Sequence, residues 1–252
     1  LAANESQRAL DEYRVLVKTG MDHSRGGLAQ MRVVGITNVL AQNRLAGDFT
    51  SLTPDAEVKE TITLSNNDTL TVYKLPTEAT QFIEAYLSTG SLNYDERFKK
   101  LDELIEIEQD NIGIATSDAA RETAEKAVAL YTQITGEIES GREFFESSRK
   151  IYKYNIGQMY QGHNQYEKAR VYFNEVINEF PQSIESTFAA QNIITTYQKE
   201  LNWAMVQNES RRFIELALGP DGEVPEDFVR YEQNAILQIL MQQNEDAQAL
   251  MA

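Results

Sequence analysis

Apolar residues recur at helical spacing along most of this chain, and the pattern predicts a mainly α-helical protein. The first apolar face runs from Ala9 to Val17 and stops before Gly20, which suits a helix end. Further faces of the same period begin near Gly27, after Pro76 and at Ala119. We therefore expect successive helices with short connections.

One segment, residues 57–75, departs from the helical period. Apolar residues alternate with polar ones on both sides of the polar stretch 65–68, and this pattern predicts a β-hairpin. The alternating residues are Val58, Ile62, Leu64, Leu70 and Val72. Because an isolated hairpin is marginal in water, we expect it to pack against a helix of its own domain or of a partner.

Residues 150–183 contain two helical faces separated by the turn at 162–164. Gly157 on the first face and Ala169 on the second are small, and we expect them to lie opposite each other in a closely packed helix pair. Pro181 ends the second helix. This stretch therefore predicts one helix–turn–helix unit.

Several positions of this unit recur 37 residues later, which predicts a second unit at 187–220. The residues Tyr160, Tyr166, Ala169 and Val176 return as Tyr197, Trp203, Val206 and Phe213. Two positions depart from the pattern: Ile194 stands where Gly157 would recur, and Ser210 where Phe173 would recur. We expect this second unit to pack less closely.

The residues Gly157, Tyr160, Ala169, Phe173 and Pro181 resemble the small, aromatic and proline positions of the tetratricopeptide repeat (TPR). The usual length of that repeat is about 34 residues. The lengthened form looks like the repeats of bacterial envelope proteins, such as the outer-membrane assembly lipoprotein and the Tol-Pal-associated cell-division coordinator. The resemblance implies an α-α superhelix of TPR-like helical hairpins, a protein-binding function and a periplasmic location.

The sequence thus divides into an N-terminal helical region, residues 1–114, which carries the hairpin, and a TPR-like array, residues 115–252. The predicted units of the array are 150–183, 187–220 and a partial unit at 226–252. We expect the last unit to begin its second helix at Glu245.

An earlier, degenerate unit is also predicted. Ala127, Tyr131 and Ile134 reproduce the spacing of Ala169, Phe173 and Val176, so the helix at 119–138 is interpreted as the second helix of such a unit. A new helical run is expected after Gly141.

Composition narrows the function. The 39 acidic residues outnumber the 23 basic ones, and a net charge of −16 repels nucleic acid. Cysteine is absent, which removes disulfides and thiolate chemistry. No apolar run reaches the length of a membrane span. The start Leu1-Ala2-Ala3 suggests a removed leader, so membrane association through that leader or through partners stays open.

The sequence predicts no catalytic, cofactor-binding or metal-binding residue, and therefore no enzyme. The chain has two histidines, His23 and His163, and neither has a partner histidine at ligand spacing. We expect each to be a solvated histidine in a turn. Ser24-Arg25-Gly26-Gly27 lacks the spacing of a phosphate-binding loop and is interpreted as a helix start.

The resemblance to TPR proteins implies that a partner lies along the inner surface made by the first helices. The residues placed there are Tyr154, Gln158, Gln161, Gln191, Thr195 and Gln198. Their amide and hydroxyl groups suit an extended peptide or a helix of an envelope protein. The alternative is a ligand-sensing or substrate-binding module formed before residue 115, which the unusual hairpin suggests.

Overall fold

The structure, a computed structural model, describes residues 2–20, 25–44, 56–219 and 222–251. The helices in these ranges are α1 Ala2–Gly20, α2 Arg25–Arg44, α3 Thr77–Gly90, α4 Tyr94–Ile114, α5 Asp118–Gly162, α6 Tyr166–Glu179, α7 Ile184–Lys199, α8 Trp203–Leu216 and α9 Glu226–Met251. Two strands, β1 Val58–Thr63 and β2 Thr69–Tyr73, form the only sheet in the described ranges. The predicted mainly α fold with one hairpin is confirmed.

The hairpin is antiparallel, and Ile62 pairs with Leu70 in its register. Its turn is built by Asn66 and Asn67: Asn66 Oδ1 accepts a hydrogen bond from the backbone N–H of Asp68, and Asn67 has a left-handed φ of 66°. Asparagine tolerates this conformation better than most residues. Strand β1 is exposed along its length, whereas Val72 of β2 is buried.

The chain divides into two compact units. Unit 1 is Leu1–Arg44 with Thr77–Arg149, and unit 2 is Leu45–Pro76 with Lys150–Ala252. The hairpin thus groups with the second half of the chain, although the sequence pattern placed it in the N-terminal region. Backbone and side-chain hydrogen bonds between β2 and residues 163–165 explain this grouping. The boundary after residue 114 stays a prediction.

Unit 1 has a core of its own, in which Leu10 of α1, Val34 of α2 and Phe82 of α3 are fully buried. Leu101 of α4 and Ile138 of α5 are fully buried and form one cluster with Tyr94 and Ile134. Burial raises the pKa of the Tyr94 hydroxyl to about 12, with Glu146 adding to the shift. Elsewhere in the unit the ring of Tyr86 lies 5.7 Å from that of Phe145.

In unit 2 the two predicted helix pairs and the start of α9 build one cluster of buried apolar residues together. The packing partner of Gly157 differs from the predicted one. A Cβ atom at this position would lie 2.5 Å from the ring of Phe173, so the small residue accommodates a phenyl ring. Nearby, the buried Lys153 of α5 makes ion pairs with Glu175 and Glu179 of α6. Both contacts hold the first helix pair together.

The two departures in the second unit are fully buried, like the residues that they replace. Ile194 and Ser210 each have 0 % exposure, as does Phe173. By the 37-residue offset, the Gly157–Phe173 combination becomes Ile194–Ser210. The large and the small side chain have thus changed places, which keeps a similar total volume.

Two predictions of helix ends are wrong. Helix α5 runs without interruption from Asp118 to Gly162, passing through Gly141, so no turn separates 119–138 from the next helical run. Helix α9 is also continuous to Met251, and Glu245 does not begin a second helix. At neither position does a helix-breaking residue such as proline occur together with a turn that would satisfy the carbonyl groups of a helix end.

Candidate functional site

The turns of the two helix pairs have the same backbone geometry, 37 residues apart. Asn164 and Leu201 both adopt a left-handed conformation, with φ of 56° and 57°. Their backbone N–H groups donate to the carbonyl groups of Gln161 and Gln198, over 3.0 and 3.1 Å. The six predicted groove residues lie on the helices that precede these turns. Equivalent residues therefore occupy equivalent places in both units.

All six groove residues are partly buried, rather than exposed as the sequence suggested. Tyr154, Gln158 and Gln161 lie on α5, and Gln191, Thr195 and Gln198 lie on α7. The two sets follow the same spacing along their helices. They differ in how many hydrogen bonds they already make within the protein, and this difference separates them into two groups.

Tyr154 connects α5 to α7. Its hydroxyl accepts hydrogen bonds from Gln158 Nε2 at 3.1 Å and Asn192 Nδ2 at 2.9 Å. Its ring lies 5.7 Å from that of Phe173. Burial raises the pKa of the Tyr154 hydroxyl, and the hydrogen bond from Asn192 opposes this shift. The phenol stays neutral at physiological pH and contributes to the packing between the two helix pairs.

Gln191 makes the corresponding connection from α7 to α9. Its Nε2 donates to Asp227 Oδ2 over 3.2 Å, and the hydroxyl of Thr195 donates to the Gln191 backbone carbonyl. Sequence reasoning missed Asn192 and Asp227, because a residue's partner across a helix interface has no fixed offset in the sequence.

Gln161 and Gln198 form the second group, at the turn end of the groove. The Oε1 atom of Gln161 is buried and has no hydrogen-bond partner among the described residues. No side-chain hydrogen bond of Gln198 is observed within the described ranges. An unpaired buried acceptor is costly unless a donor reaches it. Because Gln161 Oε1 is inaccessible, only the partly exposed remainder of the Gln161 and Gln198 side chains can reach a partner.

The first turn also holds the hairpin, and this answers where the hairpin packs. The backbone N–H of Tyr73 donates to the His163 carbonyl at 3.0 Å. Asn164 Nδ2 donates to the Thr71 carbonyl and Gln165 Nε2 to the Tyr73 carbonyl, each over 2.7 Å. The outer edge of β2 is thereby paired with the turn. The hairpin is thus held by the turn between α5 and α6, and its predicted packing against a helix stays a prediction.

His163 is fully buried, so its expected solvated position is wrong. The Nδ1 atom lies 2.8 Å from the Met159 carbonyl, which identifies it as the donor of a neutral imidazole. Its Nε2 atom is buried without a partner among the described residues. Burial lowers the pKa of His163, against the effect of the Met159 hydrogen bond. His23 and Ser24 lie outside the described residues.

The described residues contain no group of three or more His, Asp or Glu side chains that could hold a metal ion. Within the same ranges, no helix has the length and apolar character needed to cross a membrane. The fold is that of a helical repeat-like, mainly α protein with one hairpin. Comparison with family models, with curated proteins and with solved structures finds no match for this chain.

Proposed function

We propose that this protein is a non-enzymatic scaffold of the tetratricopeptide-repeat type, which binds a protein or peptide partner through the inner face of its repeats. The observation that carries the proposal is the equivalence of the two turns. Asn164 and Leu201 share their left-handed backbone and their hydrogen bonds, 37 residues apart. Repeated units of this kind create extended surfaces that suit elongated partners.

The working part of this surface is the pair Gln161 and Gln198. Tyr154 and Gln191 already use their polar groups between helices, whereas Gln161 has an unpaired acceptor. That acceptor is buried, so a backbone group of an extended peptide, or an amide of a partner helix, would pair with the partly exposed remainder of the two side chains. One partner touching both amides would be recognised at two equivalent points.

The partner is proposed to be an envelope protein in the bacterial periplasm. This rests on the resemblance of the lengthened repeats to those of envelope proteins and on the acidic charge, which disfavours nucleic acid. The same charge favours partners with basic or neutral contact surfaces.

The test is photocrosslinking in the native cells, with a photoreactive residue at Gln161 or at Gln198. Matched controls place it at Asn178 on α6 or Glu215 on α8, which are exposed and also 37 residues apart. We expect both glutamine positions to capture one envelope protein that the controls do not capture. Crosslinks from the controls alone would show that the partner docks on the second helices of the pairs, and would refute the proposed groove.

A further inference from the structure

Unit 1 contains a cavity of about 1020 Å³ that is open to solvent, with exposed lining residues such as Phe144 (64 % exposed). Helices α1, α2 and α5 supply its walls. Its lining includes Leu28, Met31, Arg32, Gly35, Gly136 and Phe144. Its volume lies at the upper end of the range for small-molecule sites, about 300–1,000 Å³. All of the lining residues belong to unit 1.

The walls offer side chains and not main-chain groups. In a helix the backbone N–H and C=O groups bond to each other, so they are not free to pair with a ligand. An extended peptide, which binds mainly through its backbone, therefore gains little here. Leu28, Met31, Ile36 and Phe144 give the cavity a largely apolar lining, which suits a hydrocarbon body.

Two glycines lie in the lining. A Cβ atom at Gly35 or at Gly136 would meet nothing within 4 Å, so a side chain added at either position has room to extend. Glycine within a helix is less favourable than alanine. The described helices thus carry glycines on two walls of the cavity, α2 and α5, where a larger side chain would occupy the space.

The charged residues of the lining indicate which chemical group a ligand would carry at its polar end. Arg32 is the only basic residue among the described residues of the lining. The acidic Glu137 accepts a hydrogen bond from Gln133 Nε2 at 2.8 Å, and no ion pair joins it to Arg32. Arg32 is exposed, and its guanidinium can pair with a carboxylate at the mouth of the cavity.

We propose that this cavity binds a free aliphatic carboxylate, with its hydrocarbon chain against Met31 and Phe144 and its carboxylate paired with Arg32. The site is independent of the docking groove proposed for the repeats. It would give the protein a second, lipid-class ligand.

The experiment is a fluorescence titration of the full chain with dansyl-labelled undecanoic acid. We expect saturable binding at one site, weakened by about tenfold or more in Gly136→Leu and in Gly35→Leu, whose side chains fill the cavity. Gly113→Leu is the matched control: it also lies in a helix with nothing within 4 Å of its Cβ, but outside the cavity. Its affinity should stay within about twofold of the original.

Circular dichroism verifies that each variant is folded, and two cavity variants are made so that one folded protein suffices. Absence of saturable binding to the original chain would overturn the proposal. Unchanged affinity in a folded cavity variant would do the same, because the ligand then binds elsewhere.

The head group is tested by displacing the probe with dodecanoate or with dodecanol, which share the same chain length. We expect Arg32→Gln to weaken displacement by dodecanoate and to leave displacement by dodecanol unchanged. An equal effect on both compounds would overturn the pairing of Arg32 with a carboxylate.

Discussion

Gly157 lies directly against the ring of Phe173, where a Cβ atom would be 2.5 Å from Cε1 and 2.7 Å from Cδ1. We expect Gly157→Ala to lower the free energy of unfolding of unit 2 by about 1–3 kcal/mol, because the ring must move within a close-packed core. The loss should exceed the gain of about 1 kcal/mol from better helix propensity. Urea unfolding followed by fluorescence of Trp203, the single tryptophan, measures it.

Gly113→Ala is the control for helix propensity, because a Cβ there meets nothing within 4 Å. This change in α4 should stabilise unit 1 by about 0.5–1 kcal/mol, as judged by circular dichroism. If Gly157→Ala were equally stabilising, the close contact with Phe173 would not exist.

The exchanged pair of the second unit leads to a double-mutant cycle. We expect Gly157→Ile and Phe173→Ser each to destabilise unit 2 severely, since one overfills the interface and the other leaves a cavity. The double variant carries the same residues as positions 194 and 210. Its loss of unfolding free energy should be smaller than the sum of the two single losses by about 0.5–3 kcal/mol. The same urea titration measures all four proteins. Strict additivity would show that residues 157 and 173 are not energetically coupled.

Features encoded by local pattern could be predicted from the sequence. The hairpin at 58–73 follows from alternating side chains and an asparagine turn, and the helix pairs follow from apolar periodicity. The uninterrupted helices α5 and α9 were missed for the opposite reason. Gly141 suggested an end, but a lone glycine within a helix is tolerated when neither proline nor a capping turn stops it.

Contacts between distant segments could not be predicted, because no local pattern specifies them. Asn164 reaches Thr71 across 93 positions of sequence, and Asn192 reaches Tyr154 across 38. The sequence singled out the six polar residues as a set, and their role as a binding groove stays a prediction. It could not show that Tyr154 and Gln191 are engaged between helices while Gln161 keeps an unpaired acceptor.

Asn164 gives a direct test of how the hairpin is held. Its Nδ2 donates to the Thr71 carbonyl and its Oδ1 accepts from the Tyr166 hydroxyl. We expect Asn164→Gly to destabilise hairpin docking by about 1–2 kcal/mol, because glycine adopts the left-handed backbone but lacks both hydrogen bonds. Hydrogen exchange of the Tyr73 amide, which donates to His163, should become roughly 5- to 30-fold faster.

Asn164→Ala separates the backbone effect from the side-chain effect. Alanine loses the same hydrogen bonds and also resists the φ of 56°, so this variant should be less stable than Asn164→Gly by about 1 kcal/mol. Unchanged exchange at Tyr73 in both variants would mean that Asn164 does not hold the hairpin.

His163 makes unit 2 sensitive to acid. Its pKa in the folded protein is lowered by burial, whereas an unfolded histidine titrates near about 6.5. The unfolded state therefore binds more protons as the pH falls below that value, and the stability of the folded state decreases until the lowered folded pKa is reached. Well above pH about 6.5, His163 is neutral in both the folded and the unfolded state, and its titration does not lower the stability of the folded state.

We expect the stability of unit 2 to fall more steeply from about pH 7 to about pH 5 in the original chain than in His163→Gln, which cannot take up this proton. His23→Gln is introduced into both proteins, so that His163 is the only histidine that differs. Carboxylate titration is common to both and cancels in the difference. Urea unfolding monitored at Trp203 over this range measures the two slopes. Parallel slopes would contradict the assignment, because a buried imidazole with an unpaired Nε2 has no acceptor for a second N–H.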